Sequence, residues 1–296
     1  MKEIVIVSGK GGTGKTSITA ALAYFAARKS VIADCDVDAA DLHLILKPEI
    51  RNRAEFRSGF KAHIDSSSCM ECGKCIELCR FGAIRYHSSV SGEKNDFSVD
   101  DIACEGCGVC VRHCPSKAVT LREQNCGEWF ISSTRFGTLV HARLGIASEN
   151  SGRLVTLVRN EAKKAAEIEN ASYVLIDGSP GIGCPVIASL TTADLALIIT
   201  EPTVSGDHDL KRIAGLTKQL RVPTMVCVNK WDINISATEA IKNFAQSQEI
   251  GFAGLIRYDK VVTEAQRAEM AVPEYSSDGV AADIRKIWNA VLGRFQ

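Results

Sequence analysis

The sequence predicts an α/β protein, a doubly wound and mostly parallel sheet interrupted by a small α+β insert. Three observations lead to that expectation. Short β-branched runs without polar alternation recur at 4–7 (IVIV), 31–34 (VIAD), 173–177 (YVLID), 195–200 (LALIIT), 224–229 (TMVCVN) and 252–256 (FAGLI), as in strands covered on both faces. Helical stretches at 16–29, 154–169 and 209–220 separate them, and strand alternating with helix builds a parallel sheet. Between about 57 and 122 the pattern stops, and Cys, Gly, Ser and charged residues take over. The expected division is one α/β domain in two parts, 1–58 and 123–296, with an inserted domain at 59–122.

Composition narrows the function classes. The 296 residues are 46% hydrophobic, and Lys+Arg and Asp+Glu each total 35. Zero net charge without a basic block argues against nucleic acid or anionic lipid as a partner. The N-terminal apolar run is too short and too glycine-broken for a signal peptide, and no window approaches a membrane span, so a cytoplasmic location is expected. Of twelve cysteines, eight lie in two compact groups; their spacing suits metal rather than a secreted disulfide framework. Cys35 and Cys227 fall in apolar strand runs, where a thiol acts as a small hydrophobe.

The first strand leads into Gly9, Lys10, Gly11, Gly12, Thr13, Gly14, Lys15, Thr16 and Ser17, the candidate ligand-binding residues, with an alanine-rich helix beginning at Thr16. Gly9 to Thr16 form G-x-x-x-x-G-K-[ST] in its strand-loop-helix setting, a phosphate-binding loop. Glycines let backbone N–H groups curl around phosphates, and the helix N-terminus adds its positive end. Lys15 is expected at the β/γ-phosphates of a nucleotide and Thr16 on Mg²⁺. The second strand runs into Asp34, Asp36, Asp38 and Asp41. A carboxylate there can orient or deprotonate an attacking water, Asp34 can act through Mg²⁺-bound water, and Asp38 and Asp41 can cap the next turn or helix.

With Lys10 as a second lysine, KGGTGKT resembles the deviant Walker A loop of the MinD, ParA and nitrogenase iron-protein group. The resemblance implies ATP and ADP as ligands with Mg²⁺, and an ATP-dependent homodimer in which Lys10 reaches the partner's phosphates. Lys10, Lys15 and Asp36 are then the catalytic candidates, with Asp36 positioning the water. YVLIDGSPGIGC (173–184) is similar to Walker B running into switch II, so Asp177 would serve Mg²⁺ through water, and Gly178, Pro180 and Gly181 would let the loop change backbone state. Asn229 in VCVNK corresponds to an asparagine at the adenine edge, although Asn also ends strands as a turn residue. TEPTVSGDHDL (200–210) resembles a further family segment.

Inside the insert, Cys69, Cys72, Cys75 and Cys79 follow C-x2-C-x2-C-x3-C, and Cys104, Cys107, Cys110 and Cys114 repeat it 35 residues later. This is the spacing of bacterial two-cluster ferredoxins, in which the fourth cysteine serves the other cluster. One [4Fe-4S] cluster is assigned to Cys69, Cys72, Cys75 and Cys114, the other to Cys104, Cys107, Cys110 and Cys79. Arg80 replaces the proline that Pro115 supplies in the second repeat. Zinc folds use separated pairs instead.

Taken together, the chain resembles MinD-superfamily ATPases with an inserted ferredoxin domain. That implies nucleotide-gated electron transfer through two [4Fe-4S] clusters, with a redox protein or iron-sulfur acceptor as partner. An iron-sulfur assembly ATPase is the alternative, yet the late C-x2-C pair of such scaffolds is absent outside the insert. A third reading, MinD-like positioning at a membrane, rests on Ile284, Ile287, Trp288, Val291, Leu292 and Phe295 at helical spacing, which equally suits a helix laid on a sheet. Cys184, seven residues beyond Asp177, stands at an offset that resembles the cluster-binding cysteine after switch II in the nitrogenase iron protein, but without a partner ligand it reads as a packed or free thiol. His141 and Arg143, after the insert, read as contacts for an acceptor or as ordinary surface residues.

Overall fold

The structure, a computed structural model, describes residues 1–87, 96–145 and 150–295. The first part of the chain forms β1 (Lys2–Ser8), α1 (Lys15–Phe25), β2 (Ser30–Asp34), α2 (Leu42–Leu46) and β3 (Glu49–Ile64). Next come α3 (Lys74–Leu78), β4 (Ile84–His87), β5 (Asp96–Val99), α4 (Val109–His113), β6 (Val119–Thr134) and β7 (Gly137–Leu144). The chain continues through α5 (Ser151–Ile168), β8 (Tyr173–Pro180), α6 (Cys184–Leu190), β9 (Leu195–Thr200), α7 (Val204–Gln219) and β10 (Thr224–Asn229). It ends with α8 (Ile235–Ser247), β11 (Gly251–Ile256), α9 (Val261–Arg267), α10 (Val272–Tyr275) and α11 (Val280–Gly293). Two compact units result: Met1–Ala54 with Glu128–Leu144 and Ser151–Gln296, and Glu55–Gly127 with Gly145–Asn150.

The larger sheet has strand order β11-β10-β9-β1-β8-β2-β7-β6-β3, with β3 up to Ala54 and β6 from Glu128 counted in the first unit. The pairs from β11 through β7 are parallel, so helical crossovers cover this part of the sheet and the strands from β10 to β2 are mostly apolar and buried. The six β-branched runs are β1, β2, β8, β9, β10 and β11. The flank formed by β7, β6 and β3 was not anticipated. β3 reads EIRNRAEFRSGFKAHI and is exposed along most of its first half; a charged, half-solvated strand carries no apolar run to announce it.

Helices α1, α9, α10 and α11 contribute to one continuous core with Ile4, Ile6, Leu175 and Leu197. On α11, Ile284, Ile287, Trp288 and Val291 are buried, and the Trp288 ring meets Tyr173 edge-on at 5.4 Å. The apolar face offered by sequence as a membrane surface is therefore spent on the core. Among the described residues no helix is long and apolar enough to cross a membrane. Cys35 and Cys227 are fully buried, and burial pushes both thiols up.

The second unit repeats itself in structure as in sequence. Helices α3 and α4 are both five residues long, preceded by left-handed Gly73 and Gly108 and closed by extended Cys79 and Cys114. Strands β4 and β5 pair antiparallel. The core is small, built on Ala62, Ile64, Ile84, Phe97 and Val119, with cysteines of both repeats packed against it.

If α11 is held by its apolar face, Trp288→Ala should destabilise the protein by about 3–5 kcal/mol in urea unfolding, while the wild-type chain fails to pellet with anionic liposomes. Pelleting by the folded wild-type chain would show that the helix has a second apolar partner.

Candidate functional site

Between β1 and α1 the loop Gly9–Gly14 bends tightly enough to need glycine. Gly14 has φ 87° and directly precedes α1, and a Cβ there would lie 2.6 Å from Asn229 Nδ2. No acidic residue occupies the first turn of α1, so its positive end stays available to an anion. Residues of this loop with Asp36, Asp41 and Gln266 line a cleft of about 530 Å³, the size of a small-molecule site.

At its floor the structure brings Lys15, Thr16, Asp36 and Asp177 together. Lys15 is buried and donates to Asp177 Oδ1 at 3.0 Å and Asp36 Oδ2 at 3.1 Å. Thr16 Oγ1 donates to Asp177 Oδ2 at 2.8 Å, and Thr19 Oγ1 to Asp177 Oδ1 at 3.1 Å. Burial works to lower the Lys15 pKa, but the charges of Asp177 and Asp36 outweigh it and raise it above the usual range. Burial pushes Asp36 up, against the pull of Lys15. Asp34 is fully buried, and burial followed by repulsion from Asp177 raises it well above the carboxylate range. Its Oδ1 accepts from the Asp36 N–H at 3.2 Å, while Oδ2 is buried without a hydrogen-bond partner. Three carboxylates thus face one ammonium.

The remaining candidates surround this floor. Lys10 Nζ donates to Ser205 Oγ at 3.1 Å and pairs with Glu201 at 3.4 Å; Glu201 also binds Lys230 at 2.6 Å. Asn229 is engaged at both ends of its amide, donating to the Thr13 carbonyl at 2.8 Å and accepting from the Lys230 N–H at 3.0 Å. Ser17 Oγ accepts from Gln266 Nε2 at 2.8 Å. Sequence reasoning missed Glu201, Ser205 and Gln266 as site residues. The first two lie in the family-like segment at 200–210, whereas Gln266 sits in no motif. Asp41 stands at the N-cap of α2 without a side-chain cap bond.

In the second unit, one small cavity is lined by Cys69, Cys72, Cys75 and Cys114, and another by Cys79, Cys104, Cys107 and Cys110. Among the described residues no three His, Cys, Asp or Glu side chains form a group that could hold a metal ion. His141 is buried, bonded to Ser132 Oγ at 2.9 Å and stacked on Phe130; burial, then the charge of His43, lowers its pKa to about 4, so it is a neutral core residue. Arg143 is exposed and paired with Glu128 at 3.0 Å. Cys184 is an exposed thiol at the start of α6.

Asp34 sets a pH dependence. Its folded pKa lies above the unfolded value, so its contribution to stability is complete below the unfolded pKa of about 3.9 and is lost as pH rises through the folded value. Asp34→Asn should therefore stabilise the nucleotide-free protein at pH 7.5 by on the order of 1 kcal/mol, with the gain shrinking toward pH 4 in urea unfolding with chelator. A loss of stability at pH 7.5 would mean that the Asp34 charge is needed to balance Lys15.

Comparison with known proteins agrees with this geometry. A family model described as the CobQ/CobB/MinD/ParA nucleotide binding domain matches residues 4–272. An uncharacterized protein of Methanocaldococcus jannaschii is 34% identical over 236 residues, covering 78% of this chain and 79% of that one. Among solved structures, the MinD cell division protein of Aquifex aeolicus aligns with TM-score 0.59 at 18% identity, covering 99% of this chain and 97% of its own. The septum site-determining protein MinD of Pyrococcus horikoshii OT3, solved in complex with Mg-ADP, aligns with TM-score 0.59 at 16% identity, covering 98% and 95%. With the phosphate loop, the acidic floor and the parallel sheet in place across the matched span, the chain belongs to the CobQ/CobB/MinD/ParA nucleotide-binding family.

Proposed function

We propose that the chain binds and hydrolyses ATP with Mg²⁺ as an ATP-dependent homodimer, and that its second unit carries two [4Fe-4S] clusters whose electron transfer to a redox or iron-sulfur acceptor protein is gated by nucleotide. One observation carries the reading furthest: each cavity of the second unit is lined by three cysteines of one repeat and the last cysteine of the other. That is the ligand exchange expected of paired clusters. A four-iron cube takes each thiolate on a different corner, so its ligands surround a cavity and need not converge on one ion. The small apolar core supports the same reading, because so few buried side chains leave a unit of this size short of stabilisation without a metal or cross-link. The clusters would supply one-electron chemistry, tuned by hydrogen bonds and charge around their sulfurs.

At the nucleotide site, the excess of carboxylate and the unpartnered Asp34 Oδ2 suit a divalent cation. Thr16 would ligate Mg²⁺, with Asp34 and Asp177 acting through water; the ion neutralises phosphate charge. Lys15 would exchange its carboxylate partners for the β/γ-phosphates. Asp36, released from Lys15 and raised by burial, is then a stronger base for orienting and deprotonating the attacking water. Lys10 would leave Ser205 and Glu201 to meet the partner's nucleotide. The adenine edge is assigned to Asn229 by resemblance.

Asp36→Asn should lower kcat for ATP hydrolysis by roughly 10²–10⁴-fold with little change in Mg-ATP affinity, whereas Lys15→Ala should lose binding itself. Equal kcat for Asp36→Asn and wild type would remove Asp36 from catalysis. Anaerobic reconstitution should give about eight irons per chain, and Mg-ATP should shift the EPR spectrum of the reduced protein. Low iron with clusters released to apo-acceptors would instead favour the assembly reading.

A further inference from the structure

The two cysteine cavities sit on the same backbone but are lined differently. Superposing the repeats by their offset of 35 pairs Met70 with Glu105, Lys74 with Val109, and Phe81 with Ser116. All six line a cavity: Met70, Lys74 and Ser116 stand with Cys69, Cys72, Cys75 and Cys114, and Phe81, Glu105 and Val109 with Cys79, Cys104, Cys107 and Cys110. The first cavity therefore has an ammonium and a hydroxyl where the second has an aliphatic side chain and a ring, and a thioether where the second has a carboxylate.

Sulfur hydrogen bonds divide the same way. Backbone donors are matched at two positions: Glu71 N–H to Cys69 Sγ at 3.4 Å in the first cavity answers Ala62 N–H to Cys104 Sγ at 3.5 Å in the second, and Ile76 at Cys75 answers Val111 at Cys110, while Cys114 of the first cavity also takes backbone hydrogen bonds from Ser116, Ala118 and Val119. The first cavity adds the Ser116 hydroxyl 3.6 Å from Cys114 Sγ. At the second, Lys61 Nζ bonds the Cys104 carbonyl and offsets part of the Glu105 charge. Among the described residues that line the first cavity, none is a carboxylate.

Resting on the reading that both cavities hold [4Fe-4S] clusters, we infer that the two sites are electrochemically unequal. The site of Cys69, Cys72, Cys75 and Cys114 is the one reduced first, with Ser116, Lys74 and Glu105 as the positioning residues that set the order. Reduction adds one negative charge to a cluster, and positive charge with donors to sulfur favours the reduced form. Lys74 and Glu105 are exposed, so their share is screened by salt; half-buried Ser116 acts through contact and keeps its share.

The test is an anaerobic EPR redox titration of the reconstituted full-length protein with dithionite, after iron analysis. Expected are two one-electron waves separated by at least about 59 mV, a tenfold preference of the first electron for one site, with the gap narrowing in high salt. Ser116→Ala should lower only the upper wave, and Ser116→Thr should restore it. Glu105→Gln should raise only the lower wave. Two coincident waves at eight irons, or a Ser116→Ala shift in the lower wave, overturns the inference while leaving the clusters in place. Far fewer than eight irons in the wild-type protein refutes the cluster reading beneath it.

Discussion

The buried ammonium of Lys15, held between Asp36 and Asp177, is the constraint around which the first unit is arranged. Removing one partner of a buried ion pair costs about 3–5 kcal/mol, whereas the intact pair adds little net stability. The pair is therefore a positional requirement: the loop after β1, the end of β2 and the end of β8 must arrive together. Parallel register meets it, since Asp34 lies opposite Asp177 and Ile6 pairs with the same Asp177. The same register sets two carboxylates on neighbouring strands; burial, then repulsion from Asp177, raises Asp34, and one of its oxygens is unpartnered. Compensation of the acid cluster is incomplete within the chain, and a site incomplete in this way is poised for a cation and for phosphates that draw Lys15 away.

Constraint works differently in the second unit. There the apolar core is small, and the repeated turn, short helix and closing cysteine set the backbone. A repeated backbone does not impose repeated chemistry. Because the side chains around each cavity come from equivalent positions with unlike residues, the scaffold is symmetric in shape and asymmetric in charge. Gly106 illustrates how closely the backbone is drawn in: a Cβ there would stand 2.1 Å from the Phe60 carbonyl oxygen, so only glycine fits.

Much of this was legible in the sequence because the signals are local. Six strands appear as apolar runs, five of them, β1, β2, β8, β9 and β10, because a strand covered on both faces has little polar side to show. The phosphate loop and the cysteine repeats appear because their chemistry needs fixed spacing along the chain. The flank was not legible for two reasons: β3 and β6 carry charge on exposed faces, and the buried run of β7 is short and broken by His141. His141 reads from sequence as an acceptor contact or an ordinary surface residue and is neither exposed nor at the surface, because nothing in HARL distinguishes a surface imidazole from one buried against Phe130 and Ser132. The C-terminal helix left two readings open, since an apolar stripe does not state what covers it; packing on Tyr173 and the core decides for the sheet.

By itself, then, the sequence determined the six strands from β11 to β2, the glycine loop with its lysines, and the cysteine spacing, each of them a property of neighbours along the chain. Only the tertiary structure decided which charges meet. It set Lys15 against Asp177, residues separated by 162 positions, brought Glu201 and Ser205 to Lys10 and Gln266 to Ser17, and turned Asn229 onto the phosphate loop. Those contacts depend on strand order and register, and no periodicity in a single segment encodes which distant segment will lie beside it.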